Sequence, residues 1–372
     1  NMVGNEITIE EGETSTFTVE LSSQPLDTVT ITFDENNILT QAISDNRISL
    51  NPAPANNSIV LTFETNNWNT PQTITVQGVD NNIDDLGIDG MQLDPTVSSN
   101  DTSYNNLAVP SIDIELLEDT TDSAGVTIGN TPINLEEGHV TNNQKSLSMV
   151  LNSEPTDDVT VTLNLAQDIL DAITAGRLTI SSTSLTFTAA NYSTSQNITF
   201  TAIDDDIVYN NIVGSSINFT AASNDATYDQ IQIGGTTLSL TDNDSVGVVI
   251  TAGANMVGTQ ITIEEGETSN FTVELNSQPL NDVTVTFSEN NILTQAISDN
   301  RISLDPAPVG NSIALTFEAG TWDTPQTITV QGVDNNIDDL GIAGMQLDTA
   351  VTSNDALYNN LAAPSIQTVS YT

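Results

Sequence analysis

The residues of this chain best suited to chemistry are carboxylates, and they come in clusters. Glu10 and Glu11 stand before Gly12, Asp80, Asp84 and Asp85 share one short segment, and Glu118, Asp119 and Asp122 share another. The pattern recurs as Glu136 and Glu137, then Asp204, Asp205 and Asp206, then Asp242 and Asp244. It recurs in part as Glu264 and Glu265, then Asp334, Asp338 and Asp339, with no closing acidic run before Thr372. Carboxylates crowded together repel one another unless water separates them or a cation bridges them. Calcium, which takes roughly six to eight oxygen ligands, suits such a set. The expected ligands are Glu11, Asp80, Asp84, Asp85, Glu118, Asp119 and Asp122 at a first position. Glu137, Asp204, Asp205, Asp206, Asp242 and Asp244 form a second set, and Glu265, Asp334, Asp338 and Asp339 a third. Solvated acidic turns are the other reading of the same residues.

The charge balance points the same way. Only 4 Lys plus Arg stand against 50 Asp plus Glu, a formal net charge of -46. Affinity for phosphate backbones comes from basic side chains displacing counterions, so nucleic acid is excluded as a partner, and anionic lipid surfaces with it. The field attracts cations. Zero cysteines remove disulfides, thiolate metal sites and thiol nucleophiles, and a single histidine removes most zinc and base chemistry. No acid, base and nucleophile stand together, so no enzyme is expected. No apolar run is long enough to span a bilayer, so direct membrane insertion is not expected either. The opening residues NMVGNEITIE lack a secretory leader's basic start and apolar run.

These clusters must be positioned by a repeat. Asn1 to Glu115 aligns with Asn255 to Val369 without a gap at about three-quarters identity, and the segment between is a more distant copy. LEEG from Leu135 matches IEEG from Ile9, and SNDATY from Ser223 matches SNDTSY from Ser99. The expected domains are 1–122, 123–244 (divergent) and 245–372 (a near copy of the first). Within each the hydrophobic period is 2. Phe17, Val19 and Leu21 fall on one face, as do Val29, Ile31 and Phe33, then Ile59, Leu61 and Phe63, Ile74 and Val76, and Ile112, Ile114 and Leu116. That alternation in Val-, Ile- and Thr-rich segments predicts half-buried antiparallel strands, about seven per unit, in β-sandwiches placed end to end. Ile38, Leu39, Ala42 and Ile43 fall instead at helical spacing and predict one short helix per unit. The joints are short; LTDNDSVGVVI from Leu240 leaves no room for a flexible linker.

With strands of alternating direction, the Glu10–Glu11 turn, the Asp80 to Asp85 loop and the Glu118 to Asp122 segment fall at one end of the unit. The argument treats RISL from Arg47 and SIVLTF from Ser58 as one broken strand; two full strands would send the Asp80 loop to the opposite end.

Arg47, Arg177 and Arg301 occupy one equivalent position per unit, and each is expected to form an internal ion pair pinning the helix-to-strand corner. Trp68 and Trp322, with Tyr192 at the matching position, are expected to plug a sandwich end, a sugar-stacking platform being the alternative. Tyr104, Tyr228 and Tyr358 each follow Ser-Asn-Asp and are expected to tie that loop to a strand. His139 occurs in one unit only and reads as structural. Asn-x-Ser/Thr sequons at Asn56, Asn100, Asn191, Asn197, Asn218, Asn243 and Asn270 are numerous, as expected by chance in so Asn- and Thr-rich a chain.

The EEG turns, WNTPQTITVQGVDNN from Trp68, SNDTSYNNLA from Ser99 and TDND from Thr241 resemble the Calx-beta family and similar Ig-like repeats of large bacterial surface proteins. The resemblance implies tandem Ig-like sandwiches, an extracellular or cell-surface location, adhesion or filament roles, and calcium at the joints. The family's acidic run, completed by Glu-Gly-Asp-Glu, is here DNNIDDLG from Asp80 and DDDIVYNN from Asp204. The expected function is a structural or adhesive segment of a long fibre or stalk, whose partners are neighbouring repeats or copies of itself. The alternative is a carbohydrate- or ligand-binding module using loop aromatics, with surface glycans or other cells as partners.

The second and third units open with AGVTIG from Ala124 and VGVVITAG from Val246, but Asn1 aligns with Asn255, after that strand. The first sandwich is therefore expected to expose a sheet edge. Either preceding residues of a longer repetitive chain supply the strand, or a neighbour donates one from the tail PSIQTVSYT after Ala363.

Overall fold

The computed structural model describes residues 2–118, 120–334 and 340–371. The fold is nearly all β. The first repeat contributes β1 (Met2–Val3), β2 (Glu6–Ile9), β3 (Thr14–Val19), β4 (Val29–Glu35), α1 (Asn37–Ser44), β5 (Ile48–Asn51), β6 (Ser58–Phe63), β7 (Gln72–Gly78), β8 (Ile88–Ser99) and β9 (Ile112–Leu116). The second contributes β10 (Val126–Gly129), β11 (Ile133–Glu136), β12 (Gln144–Leu151), β13 (Val159–Leu165), α2 (Gln167–Thr174), β14 (Leu178–Ile180), β15 (Ser184–Phe187), β16 (Gln196–Ala202), β17 (Ile212–Ala222) and β18 (Thr236–Thr241). The third contributes β19 (Val248–Ala252), β20 (Met256–Val257), β21 (Gln260–Ile263), β22 (Thr268–Leu275), β23 (Val283–Glu289), α3 (Asn291–Ser298), β24 (Ile302–Asp305), β25 (Ser312–Phe317), β26 (Gln326–Gly332), β27 (Ile342–Ser353) and β28 (Ile366–Tyr371). Their apolar faces bury three separate hydrophobic clusters, one per repeat. The alternating residues lead each one: Val29, Phe63, Ile74 and Val76 are wholly buried in the first.

In the second repeat the sheets run β10-β12-β16-β14 and β11-β18-β17-β13-β15. Two segments switch between them. β10 pairs with β12 in one sheet while β11 pairs with β18 in the other, and β14 pairs with β16 while β15 pairs with β13. Joining each broken pair leaves seven strands.

The same switch settles the direction of the acidic loops. In the first repeat β3 and β5 both run antiparallel to β7, and β6 runs antiparallel to β4. β5 and β6 therefore run the same way, as one strand broken at Pro52. β7 ends where β3 begins, β9 runs antiparallel to β8, and β2 runs parallel to β9. The ends of β2, β7 and β9 thus lie together, and α1 sits at that end between β4 and β5. Asn36 caps α1 by accepting from the Leu39 N–H, and Leu39 and Ala42 anchor the helix in the core.

The opposite end is pinned by tyrosine. The Tyr228 hydroxyl donates to the Ser153 carbonyl at 2.8 Å and accepts from the Ser153 N–H at 3.0 Å, wholly buried. Tyr358 makes the same link to Ser277, and the Tyr104 hydroxyl donates to the Ser23 carbonyl at 2.6 Å. Beside it Asp225 accepts from the Thr156 N–H, as Asp101 does from Leu26 and Asp355 from Leu280.

One difference separates the repeats. The sheet β3-β7-β5 has three strands, whereas β10-β12-β16-β14 and β19-β22-β26-β24 have four. Among the described residues no strand pairs with the outer edge of β3. The tail is not free to fill it: β28 pairs with β27 and β21 inside the third repeat. Donation from that tail is therefore not the arrangement found.

Tyr228→Phe would strand the buried Ser153 N–H and carbonyl without partners. We expect it to cost the second repeat about 1–3 kcal/mol, read as a lower urea midpoint at unchanged slope; an unaltered midpoint would show that the hydroxyl contributes nothing.

Candidate functional site

At the end of the first repeat, one carboxylate oxygen from each of Glu11, Asp80 and Asp122 lies within 4.8 Å of the other two. Glu11 comes from the turn after β2, Asp80 from the loop after β7, and Asp122 from the segment leading into β10. Glu11 is buried. Its Oε1 accepts from Arg47 Nε at 3.3 Å and from Asn81 Nδ2 at 3.1 Å, while its Oε2 has no hydrogen-bond partner. Arg47 also pairs with Asp85 at 2.5 Å and donates to the Leu86 carbonyl at 3.0 Å. Burial, reinforced by Asp85, holds Glu11 above the ordinary carboxylate value in spite of the guanidinium, and burial does the same to Asp85. Asp84 reaches across the joint, accepting from the Ala124 N–H at 2.7 Å. Glu118 is exposed and stands outside the cluster.

The second joint repeats the plan with more charge. Glu137, Asp205 and Asp244 each bring an oxygen within 4.8 Å of the others. Asp205 aligns with Asn81, so an amide that donates to the buried glutamate in the first joint is a carboxylate in the second. Glu137 is 1 % exposed, its Oε1 accepting from the Asp205 N–H at 3.0 Å and its Oε2 unpartnered. Asp244 Oδ2 is likewise without a partner. Asp242 is committed elsewhere: it accepts from the Tyr209 and Asp244 N–H groups and lies 3.6 Å from Arg177. Arg177 stacks over the Tyr209 ring at 4.0 Å. Burial, with Asp205 and Asp242 adding to it, pushes Glu137 up to about 7, and burial with Asp242 and Asp206 pushes Asp244 up to about 6. Asp204 and Asp206 are exposed beside the cluster, Asp204 accepting from Asn243 at 3.3 Å. The middle repeat, whose acidic run departs furthest from the family pattern, thus holds the more deeply buried and more strongly perturbed set.

In the third repeat Glu265 is half-buried and Asp334 exposed, and a Cβ at Gly266 would meet the Asp334 Cβ at 3.9 Å, as one at Gly12 would meet that of Asp80 at 3.8 Å. Asp119, Asp338 and Asp339 lie outside the described residues.

Both joints carry a further bond between repeats. The Glu154 N–H donates to the Asn82 carbonyl and the Gln278 N–H to the Asp206 carbonyl, each at 2.6 Å. Glu154 and Gln278 occupy the same position in their repeats, so the contact recurs.

The arginines pin the corner as expected. Each N–H bonds the helix carbonyl five residues back, at Ala42, Ala172 and Ala296, and each carbonyl accepts from the residue after the β7-type strand, at Val79, Ile203 and Val333. Sequence reasoning missed that the guanidinium enters the acidic cluster itself. The signal was the recurrence of the chain's rare cations at one fixed place after each Glu-Glu-Gly turn. Trp68, Tyr192 and Trp322 pack against the three cores, and His139 Nδ1 accepts from the Thr141 and Asn142 N–H groups of its own turn.

No protein-family model matches the chain, and no curated protein matches it. Among solved structures it is similar to a collagen adhesin from S. aureus, with 11% identity, a TM-score of 0.21, and coverage of 68% of this chain and 94% of that one. It is also similar to the fibronectin(III)-like modules of Clostridium thermocellum CbhA, with 10% identity, a TM-score of 0.16, and coverage of 66% of this chain and 93% of that one. A third is the C-terminal domain of the Streptococcus agalactiae AgI/II polypeptide BspA, with 10% identity, a TM-score of 0.19, and coverage of 66% of this chain and 98% of that one.

The raised carboxylates give a pH dependence. Between the ordinary values of 4.5 and 3.8 and the folded values near 7 and 6, the folded protein holds protons on Glu137 and Asp244 that the unfolded chain has released. Stability in chelator must therefore fall as pH rises from about 4 to about 7. Thermal melts in chelator should show a lower midpoint for the second repeat at neutral pH than at pH of about 5, with the drop reduced in Glu137→Gln; a flat profile would contradict the burial argument.

Proposed function

We propose that this chain is a structural segment of an extracellular fibre or stalk, built of tandem sandwiches whose joints are stiffened by calcium. The observation that carries this reading is the buried Glu137 oxygen without a partner, aimed into a cluster with Asp205 and Asp244. A hard divalent cation is the chemistry that satisfies such an atom while relieving the repulsion around it. Glu137 belongs to the end of one repeat and Asp244 to the segment entering the next, so an ion held by both ties the two together. Glu11, Asp80 and Asp122 are placed to do the same one joint earlier. Because each ligand must be ionised, binding releases the protons that Glu137 and Asp244 hold. The strongly negative surface keeps such a chain soluble and attracts cations to it. The loop aromatics give no support to a sugar-binding role, since each is engaged with a core.

A ligand bound by the folded state alone stabilises it by about 3 kcal/mol at a hundredfold excess over Kd. Midpoints should therefore rise in millimolar calcium relative to chelator, and small-angle scattering should report a narrower spread of end-to-end lengths. Glu137→Gln combined with Asp244→Asn should remove the response of the second joint and leave that of the first. Equal midpoints and equal scattering with and without calcium would reject the proposal.

A further inference from the structure

A groove of about 780 Å³ lies at the first joint, within the range of about 300–1,000 Å³ that binding sites occupy. Two repeats build it. α1 and the loop after β7 supply one wall, and Glu154 and Thr156 of the second repeat supply the other. The bond from the Glu154 N–H to the Asn82 carbonyl fixes the second wall against the first. The floor is apolar, made by Ile38, Ala42, Ile83 and Ile88. Ile38 is 45 % exposed, although it belongs to a helix whose core face is Leu39 and Ala42. Its side chain lies against the backbone of Gly90, where a Cβ would meet the Ile38 Cδ1 at 3.3 Å.

The rim is acidic. Asp45, Asp85 and Glu154 stand against one cation, Arg47, whose guanidinium is already taken by Glu11, Asp85 and the Leu86 carbonyl. Asn37 and Asn82 add exposed amides, each offering donors and an acceptor. The second joint keeps the backbone plan and changes these residues. α2 places Asp168 where α1 has Ile38, and Ser215 Oγ donates to that carboxylate. Ala175 replaces Asp45, Gln278 replaces Glu154, and Tyr209 replaces Asp85, its ring stacked on Arg177. An apolar floor ringed by uncompensated carboxylates is thus present at the first joint and not at the second.

We propose that this groove is a docking site for a basic, extended segment of another protein, one that sets an apolar side chain on Ile38 and Ile88 beside lysines or arginines. The floor takes the apolar side chain, and Asp45 and Glu154, from different repeats, take the cations. The amides of Asn37 and Asn82 meet main-chain N–H and carbonyl groups. The net charge of -46 steers such a segment toward the chain. Glu11, Asp80 and Asp122 do not line the groove, so this reading is independent of calcium at the joint.

The probe is a short glycine–serine peptide with a central lysine–leucine–lysine, titrated into the full chain at physiological salt. Hydrogen exchange should slow at α1 and at Asn81 to Ile83, with α2 unaffected. Ile38→Asp gives the first joint the residue of the second, in a first helical turn where a carboxylate is favoured, and should weaken binding by about tenfold or more. Asp45→Ala combined with Glu154→Gln, again residues that other repeats carry, should weaken binding and flatten its dependence on salt. On the unaltered chain, a peptide with serine in place of the leucine should bind about tenfold more weakly. If that peptide or spermine binds as well as the probe, the attraction is general to the acidic surface and the proposal fails. Absence of probe binding, absence of protection at α1, or equal affinity of the native and Ile38→Asp chains would equally overturn it.

Discussion

Repulsion between carboxylates confined to the ends of three strands is the constraint on which the rest of the structure turns. Strand direction delivers Glu11, Asp80 and Asp122 to one place, and it does so because the β5–β6 strand changes sheet without changing direction. A lone arginine per repeat offsets part of the resulting charge. Arg47 takes Glu11 and Asp85 together, and Arg177 lies over Tyr209 beside Asp242. Neither reaches every oxygen, and the atoms left over are buried ones, where an unmet acceptor is most costly.

The two joints solve this problem differently. In the first, Asn81 gives Glu11 a neutral donor. In the second, Asp205 keeps the same backbone geometry, accepting from the Ile207 N–H as Asn81 accepts from Ile83, but offers its carboxylate to the cluster. Burial is the main reason Glu137 is pushed up to about 7, and the change from an amide nitrogen to a carboxylate oxygen at this position adds Asp205's repulsion to it. Local shape is conserved while the electrostatics diverge, as expected where a turn is fixed by its Asx bond and the second oxygen or nitrogen is free to vary.

Much of this was legible in the sequence, for definite reasons. Period-2 runs such as Val29 to Phe33 show themselves because one face is buried, and the helix at Leu39 and Ala42 because its spacing departs from that rule. β8 was not legible. Its register slips between Ile88 and Met91 around Gly90, which has φ of +76°, and Pro95 interrupts the apolar alternation of Met91, Leu93 and Val97. The direction of the acidic loops depended on whether two segments were one strand, a question of pairing across sheets that no local pattern decides. The carboxylate clusters were legible as a crowd; which three oxygens converge was not, since that depends on loop conformations such as the turns capped by Asn81 and Asp205.

The placement of the arginines has a consequence for how proteases meet the chain. Enzymes that cleave after basic residues need an exposed, extended Lys or Arg, and this chain has only four such residues in 372. Arg177 is 6 % exposed, and Arg47 is tied down by two carboxylates and a carbonyl. Each is anchored at both ends of its backbone to a helix and to a strand. Trypsin-like digestion at these two arginines must wait for the corner to open, so the cations of the two acidic joints are withheld from such enzymes, whereas Lys145 stands exposed on β12.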